Sequence, residues 1–329
     1  MSDFLRPTRR LFHRLAGACA LGLATVPLRA QTDWPSRPIR IVSPSPAGVG
    51  SDAFARVYAD RLGKALGTPV FVENKPGALS TIGADLVAKA APDGYTLLFS
   101  TGNPFTLSPH LLSRLPYQPE RDFVPVARLY GGGSFVVANN DAPFQTLPEL
   151  VARAKEAPGK IAFASYGPGS TAHLGFELLQ DAAGIELLHV PYRSAIAMND
   201  VVAGQVLLGW EPPVSALPFL RAGKLRAIAF SGHKRSASLP DVPAIAETYP
   251  GVELLSWVGV WAPAGTPDAI VQRLRQELAA ITQSPQLEAL FQQVGSESML
   301  CTPQEMAVFM RRESDSLGRL IRAKNIRIS

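Results

Sequence analysis

The chain is poor in the side chains that hold metals or cross-link a fold. It has two cysteines and five histidines in 329 residues. Cys19 lies in an N-terminal segment built for removal, which leaves Cys301 alone. One thiol excludes an internal disulfide and any cysteine-based metal cluster, while an oxidising compartment stays permitted. The histidines show no metal-ligand spacing, and no metal is expected. Net positive charge is nearly absent once the leader is set aside. Lys and Arg number 32 against 27 Asp and Glu, but Arg6, Arg9, Arg10, Arg14 and Arg29 face only Asp3 within residues 1–30. The remainder carries 27 − 26 = +1. That balance gives no support for nucleic-acid or membrane-surface binding. Apolar runs of spanning length are also missing; the longest, Leu15 to Leu28, is about 14 residues, against about 20 needed for a span.

What is present begins with that leader. TRRLFHR is basic, LAGACALGLATVPL is apolar, and LRA offers a small residue at Ala30 before polar QTD. This is the order of an export signal, cleaved after Ala30. Arg9-Arg10 with Phe12 resembles a twin-arginine signal; an ordinary secretory signal with two arginines is the alternative. Ala16-Gly17-Ala18 lacks the leucine of a lipoprotein site three residues before Cys19, which argues against lipidation there. The mature chain of 329 − 30 = 299 residues has room for two lobes with separate cores. It is expected to be soluble and exported, which in a bacterium means periplasmic.

Strand and helix patterns alternate along it. PIRIVSPSP, PVFVENK and YTLLFST read as strands, separated by helical SDAFARVYADRLGKAL and IGADLVAKA. Ser51 and Asp52 suit the start of the first helix. A second block repeats the form. SFVVANN, IAFASY, LLHVPY, QVLLGW and LRAIAFS are strands; TLPELVARAKE and STAHLGFELLQDAAG are helices. Three amphipathic helices, DAIVQRLRQELAAITQ, SPQLEALFQQVG and TPQEMAVFMRRESDSLGRLIRAK, close the chain and are expected to pack back on the first lobe. The pattern predicts an α/β fold of two lobes, with largely parallel or mixed sheets and helices on both faces. Gly131-Gly132-Gly133 reads as a hinge or crossover.

Two segments share one physical form, strand to glycine-containing turn to hydroxyl to helix. They are VSPSPAGVGSDAFAR (42–56) and SYGPGSTAHL (165–174). A helix start presents unpaired N–H groups and the positive end of its dipole. Glycine lets backbone approach a ligand, so each turn is suited to hold a carboxylate or phosphate without a cationic side chain. In open α/β sheets ligands sit at strand carboxyl ends, where both turns fall. The second turn is not a nucleophile elbow, because Gly167-Pro168-Gly169-Ser170 does not fit G-x-S-x-G. It is not a phosphate loop either, having no lysine, and no cofactor is expected. Ser170 and His173 are close enough in sequence to touch, but no orienting carboxylate accompanies them, and His173 reads as a local hydrogen-bond partner. Arg193 either pairs a ligand carboxylate or bridges the lobes. Glu211, beside Trp210 at a strand end, is either a solvated loop acid or a contact for a ligand bearing an amine or hydroxyl.

The whole mature chain resembles the tripartite tricarboxylate transporter receptors, the Bug-type periplasmic solute-binding proteins. The resemblance rests on WPSRPIRIVSPSPAGVGSDAFAR, VENKPGALSTIGADLVAKAAPDGYTLLFST, LPYQPERDFVPVARL, SYGPGSTAHLGFELL, HVPYRSAIAMNDVVAGQV, AGKLRAIAFSGHKRSASLPDVPAIAE and WVGVWAPAGTP, taken in order. It implies a two-lobed binding protein that closes on a small organic acid and is not an enzyme. The lobes would be residues 31–133 with 255–329, and 134–254, after the 1–30 signal. Implied ligand-binding residues are Ser45, Ala47, Gly48, Val49 and Asp52 of the first loop, with Asp52 bracing it. They continue with Ser100, then Ser165, Gly167, Gly169, Ser170 and His173, and finally Arg193, Ser194 and Glu211. Membrane transporter subunits, or a sensor kinase ectodomain, would be the partner of a monomer. This chain departs from the family pattern PFPPGG-x-x-D, with Ser45 for the phenylalanine, Ala47 for a proline and Val49 for a glycine. Ser194 replaces the glycine after VPYR, and GWEPPV is unlike the common segment. Several of these changes fall on expected pocket walls and count against the usual simple dicarboxylates.

Overall fold

The computed structural model describes residues 34–48, 51–192 and 196–328. The expected leader lies outside them, as do Val49, Arg193 and Ser194. Residues 34–36 belong with the N-terminal segment and are described by themselves; the Trp34–Pro35 peptide bond is cis.

From Arg37 the chain builds two sheets. Strands, numbered in chain order, are β1 (Ile39–Ser43), β2 (Val70–Asn74), β3 (Thr96–Thr101), β4 (Phe123–Gly132) and β5 (Phe135–Asn139). They continue as β6 (Ala162–Ser165), β7 (Leu188–Pro191), β8 (Leu208–Glu211), β9 (Leu225–Phe230), β10 (Ser256–Pro263) and β11 (Glu297–Ser298). The first sheet has the order β11-β4-β10-β3-β1-β2, the second β7-β6-β8-β5-β9. In the first, β1 pairs in parallel with β2 and β3, while β10 runs antiparallel to both β3 and β4. In the second, β6 is parallel to β7 and β8, and β5 is antiparallel to β8 and β9. Both sheets are therefore mixed.

Local sequence explains most elements. Ile39, Ile41 and Val42 are buried on β1 because helices cover both faces of the sheet. The helix Asp52–Leu66 buries Ala55, Tyr58, Ala59 and Leu62, the stripe its 3.6-residue spacing lays on one side. It stops where Gly67 turns left-handed at φ 65° and returns its N–H to the Gly63 carbonyl. Three strands escape the sequence reading, β4, β10 and the two-residue β11. SWVGVWAP is buried on both faces apart from Ser256, so it shows no alternation. Pro125 breaks the strand pattern of β4, and the register shifts next to where Trp261 faces it.

The chain passes from the first sheet to the second through Gly133 and Ser134, and returns along 231–255. The two crossings are tied together. Ser231 Oγ accepts from Ser134 N–H at 2.8 Å and donates to Leu254 O at 2.8 Å. Ser231 N–H donates to Ser134 O at 2.9 Å. A side chain at Gly133 would lie 2.4 Å from the Gly232 nitrogen, so only glycine fits this crossing.

The last helix, Pro303–Ala323, opens on a capping box in which Thr302 and Glu305 satisfy each other's N–H groups. Its first turns pack Met306 into the core of the first sheet, beside Trp257 and Trp261. Its later residues Leu317, Leu320 and Ile321 join the core of the second, with Phe163, Phe176 and Trp210. This helix therefore packs back on the first sheet, as expected, and also reaches the core of the second. Its 21 residues span about 30 Å, long enough for one apolar stripe to serve both cores.

Candidate functional site

Each sheet ends in one of the two turns singled out above. The first joins β1 to the helix Asp52–Leu66. Asp52 is fully buried and holds the turn together. Its Oδ2 accepts from Gly48 N–H at 2.7 Å and from Arg56 Nε at 2.9 Å. Its Oδ1 accepts from Asn74 Nδ2 at 2.6 Å, and the same amide nitrogen donates to Ser45 O at 2.9 Å. Burial alone would raise the Asp52 carboxyl, but the donors Asn74, Gly48 and Arg56 outweigh it and hold it below the ordinary 3.8. These contacts all lie within the chain, so Asp52 braces the loop. Ser51 does not cap the helix through its side chain; its Oγ lies 2.9 Å from Ser45 Oγ instead. Ala47 and Gly48 are exposed, and Gly48 takes φ +75° with open space where a side chain would be.

The second turn joins β6 to the helix Thr171–Ala183. Ser165 is buried at the end of β6 and bonds to His189 Nε2 at 2.6 Å. Gly167, at φ +101°, donates its N–H to Ser165 Oγ at 3.1 Å. Gly169, at φ +76°, donates its N–H to His173 Nδ1 at 3.0 Å. Ser170 caps the helix, accepting from His173 N–H at 3.4 Å. His173 is thus a local partner, as its position suggested. The two glycine amides are thus engaged within the turn. Among the described residues no acceptor is found for the amides of Thr171 and Ala172, the first two of the helix. These are the donors a helix start offers an anion.

Glu211 ends β8 and is 3 % exposed, so it is neither in a loop nor solvated. Tyr166 Oη donates to both its oxygens, at 2.8 and 3.0 Å. Burial pushes its carboxyl up to about 7, against the opposing pull of that hydrogen bond. The tyrosine hydroxyl is raised in turn by burial and by the nearby carboxylate. Tyr166 follows Ser165 directly, so Glu211 is linked to the second turn.

Ser100 is fully buried near the end of β3 with no partner for its hydroxyl among the described residues, and Ser43 is in the same condition at the end of β1. Buried orphan hydroxyls at strand carboxyl ends are the kind of group a ligand or water satisfies. Beyond β3, a cavity of about 50 Å³ is lined by Thr101, Asn103, Thr106, Thr171, Trp257 and Glu313, among others. It brings the end of the first sheet against the start of the helix Thr171–Ala183. Glu313 accepts from Trp257 Nε1 at 3.0 and 3.2 Å. Burial pushes its carboxyl up to about 7, while Trp257, Thr106 and Arg128 pull the other way. A wider hollow of about 800 Å³ lies over Phe105, Tyr117, Phe123 and Trp261, and holds none of the expected residues.

Sequence reasoning missed Ser43, His189, Thr171 and Glu313. A signal existed for the last. Met306, Met310, Glu313, Leu317 and Leu320 fall on one helical stripe, so Glu313 is the acid among apolar residues. For His189 no local pattern would have served.

A family model described as "Tripartite tricarboxylate transporter family receptor" matches residues 54–326. A protein of Pseudomonas sp. (strain P51), described as the UPF0065 protein in tcbD-tcbE intergenic region, is 38% identical over 94% of this chain and 93% of its own. Protein BugT of Bordetella pertussis is 35% identical over 94% and 97%. Among solved structures, periplasmic binding protein BugD superposes with a TM-score of 0.73 at 33% identity, covering 90% of this chain and 100% of its own. R. palustris Rpa4515 with adipate gives 0.76 at 30% identity, over 90% and 100%. MatC (Rpa3494) from Rhodopseudomonas palustris with bound malate gives 0.72 at 29%, over 88% and 100%.

Proposed function

The chain belongs to the tripartite tricarboxylate transporter receptor family, and on that premise we propose that it is an extracytoplasmic receptor for a small organic carboxylate. The observation that carries this reading is the pair of amides of Thr171 and Ala172, without acceptors among the described residues, at a helix start whose Thr171 lines a small cavity together with Thr101 at the end of β3. They would receive one carboxylate at a helix start, helped by the orphan hydroxyl of Ser100. The braced first loop, Ser45 to Asp52, would close on the same group. Gly167, Gly169, Ser170 and His173 shape the second loop, while Arg193, Ser194, Val49 and Glu211 would select what lies beyond the carboxylate. The adipate and malate held by the two R. palustris relatives support this ligand class.

The lobes would be 31–133 with 255–329, and 134–254, closing by a hinge at the Ser134–Ser231 crossing when ligand selects the closed state. The 1–30 segment would direct export by the general secretory or the twin-arginine route. Among the described residues no helix is long and apolar enough to cross a membrane. A monomer would hand its ligand to membrane subunits of the transporter; a sensor kinase ectodomain is the alternative recipient.

The test is a thermal-shift screen of residues 31–329 after unfolding and refolding to strip carried ligand. At a hundred times its dissociation constant a ligand stabilises by about 2.7 kcal/mol, a rise of roughly 5 °C. A selective carboxylate hit supports the reading. Hits confined to cationic or neutral solutes would refute it.

A further inference from the structure

Two imidazoles lie stacked beneath the second turn. The rings of His173 and His189 are 4.0 Å apart and 8° from parallel, and His189 also stacks on Phe163 at 5.0 Å. They come from different elements, the helix Thr171–Ala183 and strand β7. Each touches the turn through one ring nitrogen. His173 Nδ1 receives the Gly169 N–H at 3.0 Å. A nitrogen that accepts a hydrogen bond carries no proton, so the His173 proton sits on Nε2, which faces Glu177 at 3.6 Å. His189 Nε2 lies 2.6 Å from Ser165 Oγ, and that oxygen already accepts from Gly167 N–H. The serine proton has two acceptors in reach, His189 Nε2 at 2.6 Å and Gly167 O at 3.3 Å, and the shorter contact is assigned it, which leaves the His189 proton on Nδ1. The two rings then hold opposite tautomers, and each lends a bare nitrogen to the loop.

We infer that His173 and His189 are positioning residues that latch the 165–170 turn only while both are neutral, so that protonating either ring releases the turn and weakens the anion seat. This rests on the carboxylate reading for its last step, but not for the latch itself. A proton added to His173 Nδ1 leaves Gly169 N–H facing another donor. A proton added to His189 Nε2 reverses the direction of the Ser165 bond. Two charged rings 4.0 Å apart would also repel. The surrounding charges are Glu177 and Asp181 on the same helix as His173, and Lys324 just past the last helix. Lys324 Nζ reaches Glu177 at 3.1 Å and Asp181 at 2.6 Å. That lysine ties up the acids that would otherwise favour a second positive charge on the rings.

Burial first, then the neighbouring His173, holds His189 down to about 4, with Glu177 pulling weakly the other way. A histidine held below its ordinary 6.5 resists protonation in the fold but not in the unfolded chain. Stability conferred by the latch is therefore complete above about 6.5 and is lost as pH falls toward 4.

The test begins with imidazole 15N NMR of the mature protein at pH 7.5. The expected result is Nε2–H for His173, Nδ1–H for His189, and a scalar coupling from Gly169 N–H to His173 Nδ1. On acidification the Gly169 amide resonance should move together with the ring signals. The reverse tautomers, or a Gly169 amide indifferent to ring titration, would overturn the latch. Adipate is the probe for the second arm, by calorimetry. His189→Leu should weaken adipate binding at least tenfold at pH 7.5 with the fold intact by circular dichroism. His189→Gln, which keeps an acceptor at the place of Nε2, should recover most of it and flatten the acid limb relative to wild type. Equal losses in both variants would overturn the positioning role. If the wild type binds no carboxylate, the proposed function fails, and the NMR arm alone decides the latch.

Discussion

Replacing Glu313 with glutamine should stabilise this protein at alkaline pH, an unusual outcome for a substitution in a buried network. Glu313 sits on the last helix with its carboxyl against the Trp257 indole N–H, 56 residues away in the chain. Its carboxyl is raised from 4.5 to about 7, mainly by burial. The sign follows from linkage. A carboxyl raised in the fold favours the folded state only while protonated, so stability is full below 4.5 and declines as pH rises through 7. The difference corresponds to about 3 kcal/mol at pH 8, an upper bound because the ionised group can recruit water. Glutamine keeps an acceptor for Trp257 and carries no charge, so Glu313→Gln should recover much of that amount at pH 8 and nearly none at pH 5. Glu211, also raised to about 7, contributes a parallel decline, so the variant should lose about half the wild-type slope. Urea unfolding at pH 5, 6, 7 and 8 measures it, with Trp257 emission as a local reporter. An unchanged slope would refute the claim that Glu313 holds a buried proton. A variant less stable than wild type at pH 8 would show that the charge is needed.

Three further substitutions probe the two turns. Gly169→Ala places a side chain at φ +76°, with its Cβ 2.7 Å from Leu111 Cδ1. Left-handed backbone and overlap together should cost about 2–4 kcal/mol, read as a lower urea midpoint. Gly169→Asp should in addition abolish carboxylate binding; only if Gly169→Ala still binds is the loss due to charge. Asp52→Asn should cost about 3 kcal/mol at neutral pH. Because Asp52 is held below 3.8, its contribution is present above that value and lost in acid, so the variant's deficit should shrink toward pH 3 in the same assay. Tyr166→Phe removes the hydroxyl that donates to Glu211. It should destabilise by about 1–3 kcal/mol at pH 8 and far less at pH 5, where the carboxyl is protonated; equal losses at both values would point to packing alone.

Much of this architecture was legible before folding. Strands that alternate or end at glycine, and helices that begin at Thr146, Ser170 or Thr302, announce themselves because their hydrogen bonds close within four residues. Both turns were legible for the same reason. β10 was not, because a strand buried on both faces has no period to read. Nor was the role of Gly169. Its position at a helix start suggested an anion donor, yet its amide is taken by His173, which the periodicity of the helix turns back toward it.

The sequence by itself determined most of the elements, their order and the two strand-to-helix turns, since each depends on residues within a few positions of one another. Tertiary structure alone decided the distant partners of the second turn, since His189 reaches Ser165 across 24 residues. It also decided that Glu313 would meet Trp257, and that Ser231 would bind the two crossings together. A hydrogen bond is short and directional, so its partner is fixed by where the packed chain brings the atoms, and no local spacing encodes that.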